Sequence, residues 1–193
     1  MPLDPCLRRR AALLSGLGLL SACTSLPPPP VAVLPDASGG LIALDPARQA
    51  ILRTSSILGS PRSLAGRPAE AARIISELEF LAVEFRWNTR WAEFSPLVAL
   101  AFEQARPEWR GAIGIDAAAA PQEVIDAMTM VRSAHASRDA ADALRPPLVT
   151  PGGQDALARL AALPPLPQAA QAARMAETEL WRMNRRGMGW RAD

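Results

Sequence analysis

The 193-residue chain contains no lysine and no tyrosine, one histidine and two cysteines. Each shortage removes a class of chemistry. All 21 basic residues are arginine, so a Schiff-base lysine, a phosphate-loop lysine and a Ser–Lys dyad are excluded. One histidine excludes a multi-histidine zinc site and any histidine pair. No Gly-x-Ser-x-Gly segment occurs, so the usual setting of a serine nucleophile is missing. Ala11 to Leu20 is an apolar stretch of ten residues. That is too short for a permanent membrane span, which takes about 20 residues.

What is present begins with a tripartite N-terminus. Arg8, Arg9 and Arg10 precede the apolar stretch, and Leu20-Ser21-Ala22-Cys23 follows it. This block resembles a bacterial lipoprotein signal with its lipobox. The resemblance implies cleavage before Cys23, a diacylglyceryl thioether on Cys23 and acylation of the new amino group. Two or more acyl chains hold a protein on a bilayer, whereas one binds reversibly. The alternative is an ordinary secretory signal with an incidental cysteine. The arginine run is also similar to a twin-arginine signal, but the usual Phe and later Lys are missing, which favours the general secretory route. Thr24 after the cysteine is not Asp, and by resemblance to the enteric sorting rule this implies the periplasmic face of the outer membrane.

Cleavage would remove three Arg and one Asp, so 21 Arg and 19 Asp plus Glu become 18 of each. A neutral mature chain argues against nucleic-acid binding, which needs a concentrated basic face. Cys6 lies in the discarded signal and Cys23 would carry lipid, so the mature chain has no free thiol and no disulfide. Stability must come from packing. No cofactor and no metal site are expected apart from the covalent lipid.

Four regions are expected: a signal over 1–22, a lipidated cysteine and Pro/Gly-rich tether over 23–44, a helical domain over 45–186 and a flexible tail over 187–193. Pro27 to Pro30 favour polyproline II, and Gly39-Gly40 allow bending. About 20 such residues at ~3.1 Å each would let the domain stand up to roughly 60 Å from the lipid.

The domain is expected to be all-α, a single irregular helical bundle. A capping residue followed by proline occurs at Asp45-Pro46, Ser60-Pro61, Ser95-Pro96 and Thr150-Pro151, with weaker starts at Arg67-Pro68 and Ala120-Pro121. The strongest helix spans about Pro68 to Asn88. Ala71, Ile74, Ile75, Leu78, Leu81, Ala82 and Phe85 form one stripe, and Phe80, Val83 and Trp87 lie roughly opposite. Two apolar sides imply a central helix with neighbours on both flanks. A shorter helix follows from Ser95 to about Ala105, ended or kinked at Pro107. One long helix is expected from Pro121 to Leu144, a short one from Gln154 to Leu163, and an alanine-faced one from about Pro167 to Arg186. The Pro68–Leu180 stretch loosely resembles uncharacterised helical lipoproteins of alphaproteobacteria, and that likeness implies no activity.

Three constellations are candidates for function. His135 and Asp139 are four apart on the expected long helix, a spacing that lets a carboxylate orient an imidazole for proton transfer. The bland alternative is a rim histidine. Glu77, Glu79 and Glu84 could supply paired carboxylates for glycoside cleavage, but a solvated salt-bridge face with nearby arginines explains them better. All five tryptophans neighbour an arginine. Arg86, Trp87, Arg90 and Trp91 could interleave as a cation–π ladder that grips lipid headgroups, peptidoglycan or another envelope protein. Alternatively, the indoles cover the core while the arginines stack over their rims. The basic, aromatic C-terminal tail could lie on a membrane, although Gly187 and Gly189 favour fraying.

The expectation drawn from all this is a lipid-anchored, non-catalytic binding or scaffolding factor of the cell envelope. Its partners would be the bilayer through Cys23 and an envelope protein or peptidoglycan. A carrier of an apolar or lipid ligand is the alternative, and would need Phe80, Val83 and Trp87 to face a void. An envelope hydrolase is third.

Overall fold

Proline opens five of the seven α-helices in the computed structural model, which describes residues 29–35, 45–134 and 137–189. Cys23, the signal before it and His135 lie outside the described residues. The helices are α1 (Pro46–Leu58), α2 (Pro68–Trp87), α3 (Pro96–Ile113), α4 (Pro121–Ser133), α5 (Ser137–Asp142), α6 (Gln154–Ala161) and α7 (Pro167–Gly189). Proline suits a first helical position because its missing N–H would have had no partner there. Asp45 accepts from the Ala47 N–H at 3.1 Å and Ser95 from that of Leu97 at 3.4 Å, so both act as N-caps. The fold is all-α, as expected.

Helix α2 is the axis of the domain. It packs against α1, α3, α4 and α6, while α7 lies across α1 and α3. Ile74, Ile75, Leu78 and Leu81 are fully buried, and each such side chain contributes about 1.5–3 kcal/mol of transfer free energy. Helix α7 turns Ala169, Ala172, Ala173, Ala176 and Leu180 inward. Small side chains let its backbone approach α1 and α3. A carboxylate from α3 caps its start: Glu108 accepts from the N–H groups of Gln168 (3.1 Å) and Ala169 (2.9 Å).

Four expectations from the sequence need correction. Pro107 does not end α3, which continues to Ile113. The carbonyl freed by Pro107 is that of Glu103, and both residues are exposed, so water can satisfy it. Burial of Trp109 and Arg110 in the turn beyond secures the rest of the helix. The expected Pro121–Leu144 helix is two helices. Ala134 adopts an extended conformation (φ −67°, ψ 128°), and the break turns Ala140, Ala141 and Leu144 back to the core. Ser60-Pro61 starts only a 3-10 turn, Pro61–Leu64. Thr150-Pro151 starts no helix, because Thr150 is held elsewhere. Its N–H donates to the Gly114 carbonyl at 2.8 Å, and the Asp116 N–H donates to the Leu148 carbonyl at 2.9 Å. These bonds flank an antiparallel bridge between Ile115 and Val149.

That bridge depends on Gly114, the left-handed cap of α3 (φ 79°). A Cβ there would sit 2.3 Å from the Thr150 carbonyl oxygen. Gly114→Ala is therefore expected to cost at least ~1–2 kcal/mol from backbone strain alone. Gly111→Ala, at an exposed helical position where a Cβ meets nothing within 4 Å, should instead stabilise by about 0.5–1 kcal/mol. Paired thermal melts check both. A neutral Gly114→Ala would contradict the tight approach of the two loops.

Candidate functional site

The C-terminal end of α2 collects the arginine–tryptophan residues. After Trp87 the backbone turns extended at Asn88, and a 3-10 turn, Thr89–Trp91, folds Trp91 back onto the helix. Trp91 is 4% exposed. Its ring centroid lies 5.5 Å from that of Phe85 and 4.7 Å from that of Phe94, and Phe85 in turn lies 5.2 Å from Phe102. The indole N–H of Trp91 donates to Glu84 Oε1 at 3.0 Å, which satisfies its one polar atom.

The arginines stack as cation–π partners. The Arg90 guanidinium lies 4.5 Å over Trp91 and that of Arg86 lies 5.3 Å over Trp87. Both also face carboxylates. Arg90 pairs with Asp45, and with Glu84 at 3.8 Å, while Arg86 Nε meets Glu103 Oε1 at 3.0 Å. The four residues are thus at one end of the domain, but in two roles. Trp91 closes an aromatic cluster with Arg90 over its rim. Trp87, 52% exposed, is the indole that faces outward.

Beside Trp87 runs part of the proline-rich segment. Residues 29–35 lie on the domain. The Val33 N–H donates to Gln122 Oε1 at 2.7 Å, and Gln122 Nε2 donates to the Val33 carbonyl at 3.3 Å. One side-chain amide therefore binds both main-chain groups of a single residue, as a neighbouring strand would. Asp126 Oδ1 accepts the other Gln122 N–H at 2.8 Å and fixes the amide's orientation. Ala32 and Leu34 pack against the core. Pro29, Pro30, Val31 and Ala32 line an open groove together with Val83, Glu84, Trp87 and Thr89. Of the three residues on which the carrier alternative relied, Val83 and Trp87 border this open groove and Phe80 does not line it. Phe80 and Val83 are buried, and this segment flanks the exposed Trp87.

The carboxylates of α2 are the main surprise. Glu77 and Glu79 are buried, not solvated as expected. With α1, α3, α4 and α6 all packed on α2, no solvent strip runs along its middle. Each acid turns to a different partner. Glu77 Oε1 meets Arg53 of α1, while its Oε2 has no hydrogen-bond partner among the described residues. Burial pushes the Glu77 carboxyl up to about 7, against the pull of Arg53 and, more weakly, Arg73 and Arg132.

Glu79, with no exposed surface, is held by α3. Its Oε1 accepts from Trp109 Nε1 (2.8 Å) and Arg110 Nε (2.7 Å), and its Oε2 from Arg110 Nη2 (2.8 Å). Arg110 Nη1 donates to the carbonyls of Asp116, Ala117 and Ala119, at 3.1, 3.0 and 3.0 Å, and so shapes the α3–α4 loop. Arg106 adds a second cation, 3.5 Å from Glu79 Oε2. Burial pushes the Arg106 pKa down and the Glu79 charge opposes that fall. Glu84 is taken up by Trp91 and by Asn88 at 2.9 Å. The three carboxylates thus do not converge on a common substrate space.

Asp139 is exposed on α5, at an open depression that also involves Met130, Asp142, Arg145 and Leu148. Its partner in the expected pair, His135, lies outside the described residues. The break at Ala134 removes the continuous helix on which that four-residue spacing relied. Arg110 and Gln122 were not singled out from the sequence. A tryptophan–arginine pair in an interrupted helix was the one sign of the first, and nothing local marks the second.

Among the described residues, no group of three or more His, Cys, Asp or Glu side chains is placed to hold a metal ion, and no helix is long and apolar enough to cross a membrane. No family model matches the chain, and no curated protein or solved structure is significantly similar to it.

Proposed function

We propose that this protein is a lipid-anchored factor of the cell envelope that binds or scaffolds and does not catalyse. The observation that carries the reading is Leu20-Ser21-Ala22-Cys23, placed after an arginine run and a short apolar core. Cleavage and lipidation at Cys23 would leave a neutral helical domain on the periplasmic face of a membrane, with the outer membrane favoured by Thr24. The non-catalytic part is supported by where the acids go. Glu77, Glu79 and Glu84 are engaged with Arg53, Arg110 and Trp91 inside the domain. Groups committed to internal charge pairs are poor candidates for proton transfer to an outside substrate. The binding part is supported by Trp87, an exposed indole with a stacked arginine, since Trp and Arg are the commonest anchors of interfaces.

Cys23→Ser tests the anchor in cells. Palmitate incorporation is expected to disappear, and the protein should move from the membrane to the soluble periplasmic fraction. Unchanged membrane retention of this variant would overturn the proposal.

A further inference from the structure

We propose that residues 29–35 act as a strap that holds the Trp87 end of the domain against the bilayer in which Cys23 is anchored. The inference rests on the lipid anchor proposed above and adds an orientation and a contact surface to it.

The first step is chain length. Pro29 is six residues beyond Cys23. Even fully extended, six residues reach only about 20–22 Å. Without the strap, the leash would run from Cys23 to Asp45, 22 residues, and reach roughly 60–70 Å in a polyproline-like conformation. Docking of 29–35 therefore cuts the reach of the domain about threefold.

The second step is direction. Pro29 to Ala32 lie beside Val83, Glu84, Trp87 and Thr89, so the lipid-bearing side of the strap leaves the domain at the C-terminal end of α2. The exposed large apolar side chains at that point are Trp87 and, on the strap itself, Val31. An indole is favourable at headgroup depth, where its apolar body and its N–H meet different surroundings. Charge does not oppose this contact and does not direct it to anionic lipid. Arg86 is neutralised by Glu103, and Arg90 by Asp45 and Glu84. A zwitterionic bilayer is therefore a sufficient partner.

The third step is what holds the strap. Gln122 binds both main-chain groups of Val33, and Ala32 and Leu34 pack on the core. Prolines at 29, 30 and 35 reduce the entropy lost on docking.

The test uses the full-length lipoprotein in phosphatidylcholine vesicles. The mature chain has no thiol besides Cys23, so Ala92→Cys, near the C-terminal end of α2, or Ala65→Cys, just before its start, accepts a single donor fluorophore. Energy transfer to a headgroup acceptor should be strong from position 92 and weaker from position 65. Gln122→Ala or Val33→Pro, which removes the N–H that Gln122 accepts, should bring the position-92 signal down towards that of position 65. Equal transfer from the two positions in the parent protein, or transfer unmoved by both strap variants, overturns the proposal.

Hydrogen exchange separates strap from anchor. In the unlipidated Cys23→Ser chain, the Val33 amide should exchange about tenfold more slowly than in the same chain carrying Gln122→Ala. Equal exchange overturns the strap itself. Protection at Val33 in a parent protein that does not float with vesicles would leave the strap standing and place the failure in the anchor.

Discussion

Glu79→Ala is expected to lower stability by about 3–5 kcal/mol, the scale for removing one partner of a buried ion pair. Arg110 is 4% exposed and directs Nε and Nη2 at Glu79. Without the carboxylate, that guanidinium is a buried cation with only loop carbonyls for partners. The indole N–H of Trp109 also loses its acceptor, and an unsatisfied buried donor costs a further ~1–3 kcal/mol where water cannot enter. A domain of this size has about 5–15 kcal/mol in total, so the variant should be substantially unfolded at moderate temperature.

Arg110→Ala should cost a similar amount by a different route. It strands Glu79 beside Arg106 and releases the carbonyls of Asp116, Ala117 and Ala119. Because both changes break the same contact, the double variant should be more stable than the sum of the singles predicts, by about 1–3 kcal/mol. Urea unfolding with an unchanged m-value gives these quantities. Single substitutions within ~0.5 kcal/mol of the parent would mean that the pair is hydrated and not in the core.

The second large effect is a pH dependence with an unusual sign. Glu77 titrates near 4.5 when unfolded and is pushed up to about 7 in the folded protein by burial. Between those values the unfolded chain has released its proton while the folded chain keeps it. The folded state then binds more protons, so stability falls as pH rises through the window. The accumulated loss is on the order of 3 kcal/mol and is complete about one pH unit above the folded value, near pH 8. Other carboxylates contribute their own slopes, so the comparison is with Glu77→Gln, which resembles the protonated form. Relative to that variant, the parent should lose stability from about pH 5 to pH 8, and the variant should be the more stable protein at pH 8. A difference that stays constant across this range, or that favours the parent at pH 8, would mean that Arg53 outweighs the burial of Glu77.

These two acids also mark the limit of what the sequence reveals. The helix periodicity of Ala71 to Phe85, the proline-marked helix starts at Pro46, Pro68, Pro96 and Pro121 and the alanine face of α7 are local signals, and each appears in the fold. Two apolar sides on α2 correctly announced a central helix. The same pattern left little room for a solvated strip between them, and that consequence is what Glu77 and Glu79 express. Their partners are far along the chain: Arg53 is 24 residues from Glu77 and Arg110 is 31 from Glu79. Residue type alone therefore suggested a wet surface.

The break at Ala134 has no glycine or proline to announce it, because it is imposed by the packing of Ala140, Ala141 and Leu144. Pro107 shows the reverse. A strong local breaker is overridden because Trp109 and Arg110 beyond it are buried against α2. At the candidate site, the gathering of Arg86, Trp87, Arg90 and Trp91 was visible as spacing. Which indole faces out was decided by the turn after Asn88. The docking of Val33 on Gln122, 89 residues away, left no trace in the pattern.

The central claim is that Cys23 carries lipid, and intact-mass spectrometry of protein extracted from membranes tests it most directly. The account predicts a chain beginning at Cys23, heavier than its sequence by a diacylglyceryl group on sulfur and an acyl group on nitrogen. A chain that still begins at Met1, or one beginning at Cys23 with an unmodified thiol, would contradict it.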